Sequence, residues 1–242
     1  GDAILSVGII DTANHGHFWL GAEKSGNRTV YASDNDEAPD ADAGINDADD
    51  AITVAPAVPN HMHFVQGPSA AVAGVEIDPA VTVRFDDVYE NACDNDTGTD
   101  IVLHLEDNHT TDTLHGTLTQ ATVLGVATFA DLHLHLVDTD YTLAAASSGL
   151  ADIESSGFAI TPAATDHFSL NNLAGITAGG TRAAYTVERY DAFNNLVTSG
   201  ADTVYLYLDA GKGGNDKFYN ALTEGDAILS VGIIDTANHG HF

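Results

Sequence analysis

Histidine pairs at His-x-His spacing and runs of aspartate are the residues of this 242-residue chain equipped for chemistry. The His pairs are His61/His63, His133/His135 and His15/His17, the last recurring as His239/His241. On a strand, residues i and i+2 share a face, so each pair offers two imidazoles to one zinc, copper or nickel ion. The third ligand has to come from a neighbouring strand or unit; without it the rings are polar residues on an outer face. Asp34, Asp36, Glu37, Asp40, Asp42, Asp47, Asp49 and Asp50 lie in one stretch with Asn35, Asn46 and Gly44 and no cation. Calcium takes about six to eight oxygens, and closely spaced carboxylates around a Gly turn can supply them. The spacing is not that of an EF-hand, since the terminal bidentate Glu is missing. Asp86, Asp87, Glu90, Asp94, Asp96 and Asp100 form a second, looser group of calcium candidates. The competing expectation is a solvated acidic loop in the first case and Asp residues that fold their own turns in the second.

The elements that carry these residues read as strands. Leu132-His133-Leu134-His135-Leu136 alternates with leucine on one face and histidine on the other, and Val81 to Phe85 and Ile101 to Leu105 alternate likewise. Short runs of this kind are separated by Gly, Asn, Asp and Pro, and no window has a convincing helical period, so the expectation is all-β. Pro59 and Pro162 mark the starts of two modules, where the ladder has not begun.

Self-similarity organises the chain. GDAILSVGIIDTANHGHF stands at both 1–18 and 225–242, an offset of 225 − 1 = 224. The chain lacks an initiator Met and signal-peptide features, and the expectation is one period of a longer tandem array plus the beginning of the next. The alternative is a discrete subunit whose duplicated segment adds a strand to a neighbour. A weaker repeat lies within the period: Phe85-Asp86-Asp87-Val88-Tyr89-Glu90-Asn91 is echoed by Tyr190-Asp191-Ala192-Phe193-Asn194-Asn195, Ala73-Gly74 by Ala178-Gly179, and Gly125 to Phe129 by Gly225 to Leu229. This predicts a complete module at 58–160, the N-terminal part of a second at 161–242, and the C-terminal part of such a module at 1–57.

The His-Phe opening strand, Ala-Gly, aromatic-Asp turn, Gly-x-Ala-x-Phe and Tyr-Thr-Leu pattern resembles the bacterial Ig-like repeats of large surface proteins and adhesins. That resemblance implies tandem immunoglobulin-like β-sandwiches in an extracellular stalk, filament or matrix protein. It names no partner, because the fold hosts many functions.

Charge and motifs exclude other classes. Seven Lys+Arg against 36 Asp+Glu give a net charge of −29, which leaves no basic surface for nucleic acid or an anionic membrane. No apolar run is long enough to span a bilayer. Cys93 is the single cysteine, so no internal disulfide forms, and it reads as a small buried side chain. There is no nucleophile elbow, His-Glu-x-x-His, phosphate loop or Cys cluster, so no enzyme is expected. The leading expectation is a structural repeat of an extracellular or cell-surface polymer, its partners being identical copies of itself. A calcium-dependent adhesin binding glycans or another surface is the alternative, and a metal-loading surface on the His pairs a third.

Overall fold

The computed structural model describes residues 20–32, 48–106, 110–171, 175 and 184–206, together with strand backbone at 218–219, 227–228, 230–233 and 239–241. The described residues form strands and loops and contain no helix, as the alternating pattern predicts. A hairpin of β1 (Gly26–Ala32) and β2 (Ala48–Val54) precedes the main core. The core strands are β3 (His61–Gln66), β4 (Ala71–Val72), β5 (Val81–Asp86), β6 (Asp100–Leu105), β7 (Thr119–Ala121), β8 (Val126–Phe129), β9 (Asp138–Tyr141), β10 (Leu143–Ala146), β11 (Ile153–Glu154) and β12 (Phe158–Thr161). Beyond them come β13 (His167–Asn171), β14 (Thr186–Tyr190), β15 (Asp202–Tyr205), β16 (Phe218–Tyr219), β17 (Ala227–Ile228), β18 (Ser230–Ile233) and β19 (His239–His241).

The core is a β-sandwich. One layer is β3-β5-β8 and the other is β11-β10-β6-β7, flanked by β4-β12-β9. Strand alternation puts Val81, Val83 and Phe85 of β5 and Ala127 and Phe129 of β8 inside, facing Ile101 and Leu103 of β6 and Leu143 and Ala145 of β10, all in one buried cluster. The run Asp138 to Ala146 serves two sheets, with β9 pairing β12 in the flanking sheet and β10 pairing β6 in the second layer. β4 joins β12 in parallel, so the chain entering the module and the chain leaving it lie side by side.

Tyr141, fully buried at the end of β9, donates its hydroxyl to the Leu136 carbonyl five residues upstream at 3.0 Å and also meets Thr110 Oγ1 at 2.9 Å. This is the tyrosine corner of Greek-key sandwiches, which pins the loop that crosses between the layers. Cys93 is buried, and burial, helped by Asp87 and Asp86, pushes its thiol up to about 11, so it remains a protonated packing residue.

Two sequence expectations shift. Leu132 to Leu136 keeps its predicted alternation, with Leu132 and Leu134 fully buried, but only one β-bridge forms there, between His133 and His115. The reason is that Asp112 Oδ2 takes the N–H groups of His135 at 2.6 Å and Leu136 at 2.7 Å, removing them from any ladder. The echo of Gly125 to Phe129 also moves. β19, not the 225–229 segment, pairs with β14 as β8 pairs with β5, and β18 pairs with β15 as β7 pairs with β6. Register decides this: Val187 faces Gly240 as Val83 faces Ala127. The copy at 1–18 lies outside the described residues.

Replacing Tyr141 by Phe removes both hydroxyl contacts while keeping the ring. The expected cost is about 1–2 kcal/mol, read as a lower urea midpoint at unchanged slope.

Candidate functional site

Two buried aspartates, Asp87 and Asp191, sit at equivalent turns and organise the chain around them in the same way. Asp87 Oδ1 accepts the N–H of Tyr89 at 2.8 Å and of Asn91 at 2.9 Å, and Oδ2 accepts Ala57 N–H at 2.9 Å and Asn91 Nδ2 at 2.9 Å. Asp191 repeats this with Phe193 N–H, Asn195 N–H, Ala163 N–H and Asn195 Nδ2. Glu90 and Asn194 both take positive φ, at 62° and 64°, so the two turns share backbone shape as well as bonding. Residue 191 − 87 = 104 positions on is therefore the structural partner, which aligns Asp191 with Asp87 and not with Asp86, one residue off the sequence echo.

The partner asparagines reach backward. Asn91 donates to the Glu23 carbonyl at 2.7 Å and accepts Ser25 N–H at 3.1 Å, while Asn195 donates to the His135 carbonyl at 2.7 Å and accepts Val137 N–H at 2.9 Å. Each Asp–Asn pair thus ties together its own turn, the chain leading into it and a loop from the preceding stretch of sequence. We call these arrangements joints. Burial pushes the Asp87 and Asp191 carboxyls up, but the Asn side-chain and backbone N–H groups outweigh it and hold both well below the usual carboxylate range.

The second joint has an added contact surface. Phe193 stacks on His135 with ring centroids 4.3 Å apart and planes 9° from parallel, and it packs against the core cluster. Its other neighbour is Gly74, where a Cβ would stand 2.5 Å from the Phe193 ring and where φ is +75°. Only glycine meets both conditions. The first joint has Tyr89, partly exposed, in the place of Phe193, and Lys24 Nζ donates to the Tyr89 carbonyl.

Next to the second joint three histidines converge. The His115 and His133 backbones exchange N–H···O bonds of 3.1 and 3.2 Å, which sets their side chains on one face, and His135 follows on that face. Ring centroids are 5.3 Å apart for His115/His133, 4.1 Å for His115/His135 and 5.4 Å for His133/His135. One candidate ligand atom from each lies within 4.8 Å of the others. Asp131 frames the group by accepting Thr117 N–H at 2.9 Å and Thr117 Oγ1 at 2.7 Å, and its carbonyl sits 3.0 Å from His133 Nδ1. Asp112 Oδ1 stands 3.6 Å from His115 Nε2. Burial, then the neighbouring His115, holds His135 below its ordinary value despite Asp112.

The other sequence candidates are placed differently. His61 meets Glu90 at 3.3 Å beside Asp86, and their ligand atoms group within 4.8 Å, but Arg84 already pairs with Asp86 through Nε at 2.8 Å and Nη2 at 3.1 Å. The cation of that cluster is the guanidinium. His63 is exposed opposite Arg84. Asp96 is engaged by Thr99 Oγ1 at 2.9 Å and Thr122 Oγ1 at 2.5 Å, while Asp94 and Asp100 are exposed. Among the described residues the acids from Asp86 to Asp100 do not gather at one point. Asp49 and Asp50 are exposed on β2; Asp34, Asp36, Glu37, Asp40, Asp42 and Asp47 lie outside the described residues. His115 was the residue missed from sequence, since it stands alone in Leu114-His115-Gly116 and nothing local links it to 133 and 135.

No protein-family model matches the chain, and no curated protein matches its sequence. Among solved structures, the β-glucuronidase of Parabacteroides merdae overlaps 46% of this chain and 14% of its own at 15% identity and a TM-score of 0.30. Domains 4–9 of the surface layer protein SbsC overlap 90% of this chain and 30% of their own at 13% identity and a TM-score of 0.32. The chain thus spans under a third of either structure, and TM-scores this low assign it neither a family nor an activity.

Two outcomes follow from the joints. Asn195→Ala strips the Val137 N–H and His135 carbonyl of their partner, so hydrogen exchange at Val137 should quicken about tenfold or more, with the sandwich core unchanged. Because Asp87 and Asp191 have folded values below the ordinary 3.8, their stabilisation is full above that pH and drains away as pH falls through it towards the folded values. Urea midpoints should therefore drop below pH ~4, and Asp191→Asn should flatten part of that slope.

Proposed function

We propose that this chain is a structural repeat of an extracellular polymer, a filament, stalk or surface layer, in which β-sandwich modules follow one another head to tail through rigid joints. The observation that supports it is the duplicated Asp–Asn joint: the same pattern of hydrogen bonds, from the turn to the chain leading into it and to a preceding loop, occurs at Asp87/Asn91 and at Asp191/Asn195. A joint that repeats along the chain fixes each module against its predecessor, and an array in which each unit touches only its neighbours grows in one dimension. The duplicated end sequence fits the same scheme, with β18 and β19 occupying the positions that β7 and β8 hold in the core module.

The acidic surface suits such a role. Removing the duplicated Asp2 and Asp11 leaves 7 − 34 = −27 for each period, a charge that keeps neighbouring fibres apart until salt or divalent cations screen it. Among the described residues, two of the seven cations are held in ion pairs: Arg84 with Asp86, and Arg189, itself buried, with Asp202 and beside the carbonyls of Ser199 and Gly200. This reading assigns the chain no catalytic role.

A polypeptide of three consecutive periods tests it by electron microscopy. Unbranched rods that lengthen by a constant increment per period are expected. Collapsed particles, or lengths that do not scale with period number, would overturn the proposal.

A further inference from the structure

We propose that His115, His133 and His135 form a binding site for a divalent transition-metal ion of the zinc class, where the loop that the second joint clamps meets the segment of His115. It does not depend on the polymer reading, because all three ligands belong to one chain.

The donor set is three imidazoles with a carboxylate alongside and no thiolate. Borderline ions such as Zn2+, Cu2+, Ni2+ and Co2+ favour that combination over Ca2+ or Mg2+, which seek oxygen. Zn–N bonds of about 2.0–2.1 Å in tetrahedral geometry put donor atoms about 3.3 Å apart. The candidate atoms here already lie within 4.8 Å of one another, so small ring rotations bring them onto one ion. The rings are half-buried, which leaves one side open to solvent for the ion's arrival.

The frame around the rings favours a site over a chance cluster. The backbone bridge between His115 and His133 fixes two of the ligands relative to each other, independently of either side chain. The Asp131 carbonyl, 3.0 Å from His133 Nδ1, orients that ring and leaves Nε2 for the metal, the arrangement metal-binding histidines commonly use. Asp112 places a negative charge 3.6 Å from His115, and its Oδ2 grips the backbone of His135 and Leu136. Phe193 lies flat against His135 and closes one side of the cluster with an apolar wall. By contrast, the His61 cluster has Arg84 where an ion would need room and negative charge.

The site also has a mechanical consequence. His135 is both a ligand and the residue whose ring and carbonyl are held by Phe193 and Asn195. An ion on its ring therefore braces the second joint. At the first joint the carbonyl that corresponds to His135 belongs to Glu23, whose side chain is a carboxylate rather than an imidazole.

The test is titration of the full, chelator-stripped chain with Zn2+ by calorimetry and with Co2+ by visible absorption. One strong equivalent is expected, with the d–d bands of tetrahedral Co2+. His115→Gln, His133→Gln and His135→Gln should each weaken that equivalent about tenfold or more, whereas His61→Gln/His63→Gln and His239→Gln/His241→Gln should leave it intact. Urea midpoints in chelator establish that the variants fold. Should any of them unfold, imidazole nitrogen shifts in the unaltered protein decide, because Zn2+ should move those of His115, His133 and His135 first. A strong site that survives both His115→Gln and His133→Gln, shifts confined to other histidines, or no uptake of either ion would overturn the assignment.

Discussion

A carboxylate buried without a cation has to be held by N–H groups, and at Asp87 and Asp191 this requirement shapes everything around them. Each is fully buried, and each is satisfied only when its turn, the chain that leads into it and the following asparagine are all in place. The asparagine then has an amide oxygen and an amide hydrogen left over, and these capture the backbone of the preceding loop. One buried charge thereby fixes the geometry between successive stretches of the chain. Removing a partner leaves buried groups unsatisfied, which is the costly side of hydrogen-bond energetics, so the arrangement is held all or none.

The two joints share this bonding and differ in what covers it. At the first, Tyr89 stays partly exposed and Lys24 reaches its carbonyl; at the second, Phe193 is wedged between Gly74 and His135. Backbone bonding is indifferent to these side chains, so it repeats while the covering residues specialise. The second joint has the more apolar cover and lies beside the His115, His133 and His135 cluster. The two joints are alike in bonding and unlike in chemistry.

Interior composition follows the same division of labour. The core module is filled by aliphatic and aromatic side chains, whereas beyond it Arg189 occupies the position that corresponds to Phe85, 189 − 85 = 104 residues on. Its guanidinium donates through Nη1 to Asp202 and through Nη2 to the carbonyls of Ser199 and Gly200. An opposite charge and carbonyl acceptors offset the cost of burying this arginine, and it uses one of the chain's seven cations inside the fold.

The sequence alone determined the all-β character, because period-two alternation survives in β5, β6 and β8 and no stretch has the helical period. It determined the repetition too, since identity at the two ends and the recurring Asp and Asn turn residues are visible without coordinates. It did not determine which Asp matters, Asp86 or Asp87, because two adjacent carboxylates read alike until one is seen buried against Ala57 and the other facing Arg84. Nor could it show that Leu132 to Leu136 forgoes a regular strand, since the competing acceptor, Asp112, is remote in sequence. The His133/His135 pair was legible, as i and i+2 positions share a face. Its third member, His115, was supplied only by a cross-chain bridge, and the wall behind it by Phe193 from the next stretch of chain. Local spacing is written in the sequence. Contacts between segments far apart in the chain depend on how the layers close, and that is settled only by tertiary packing.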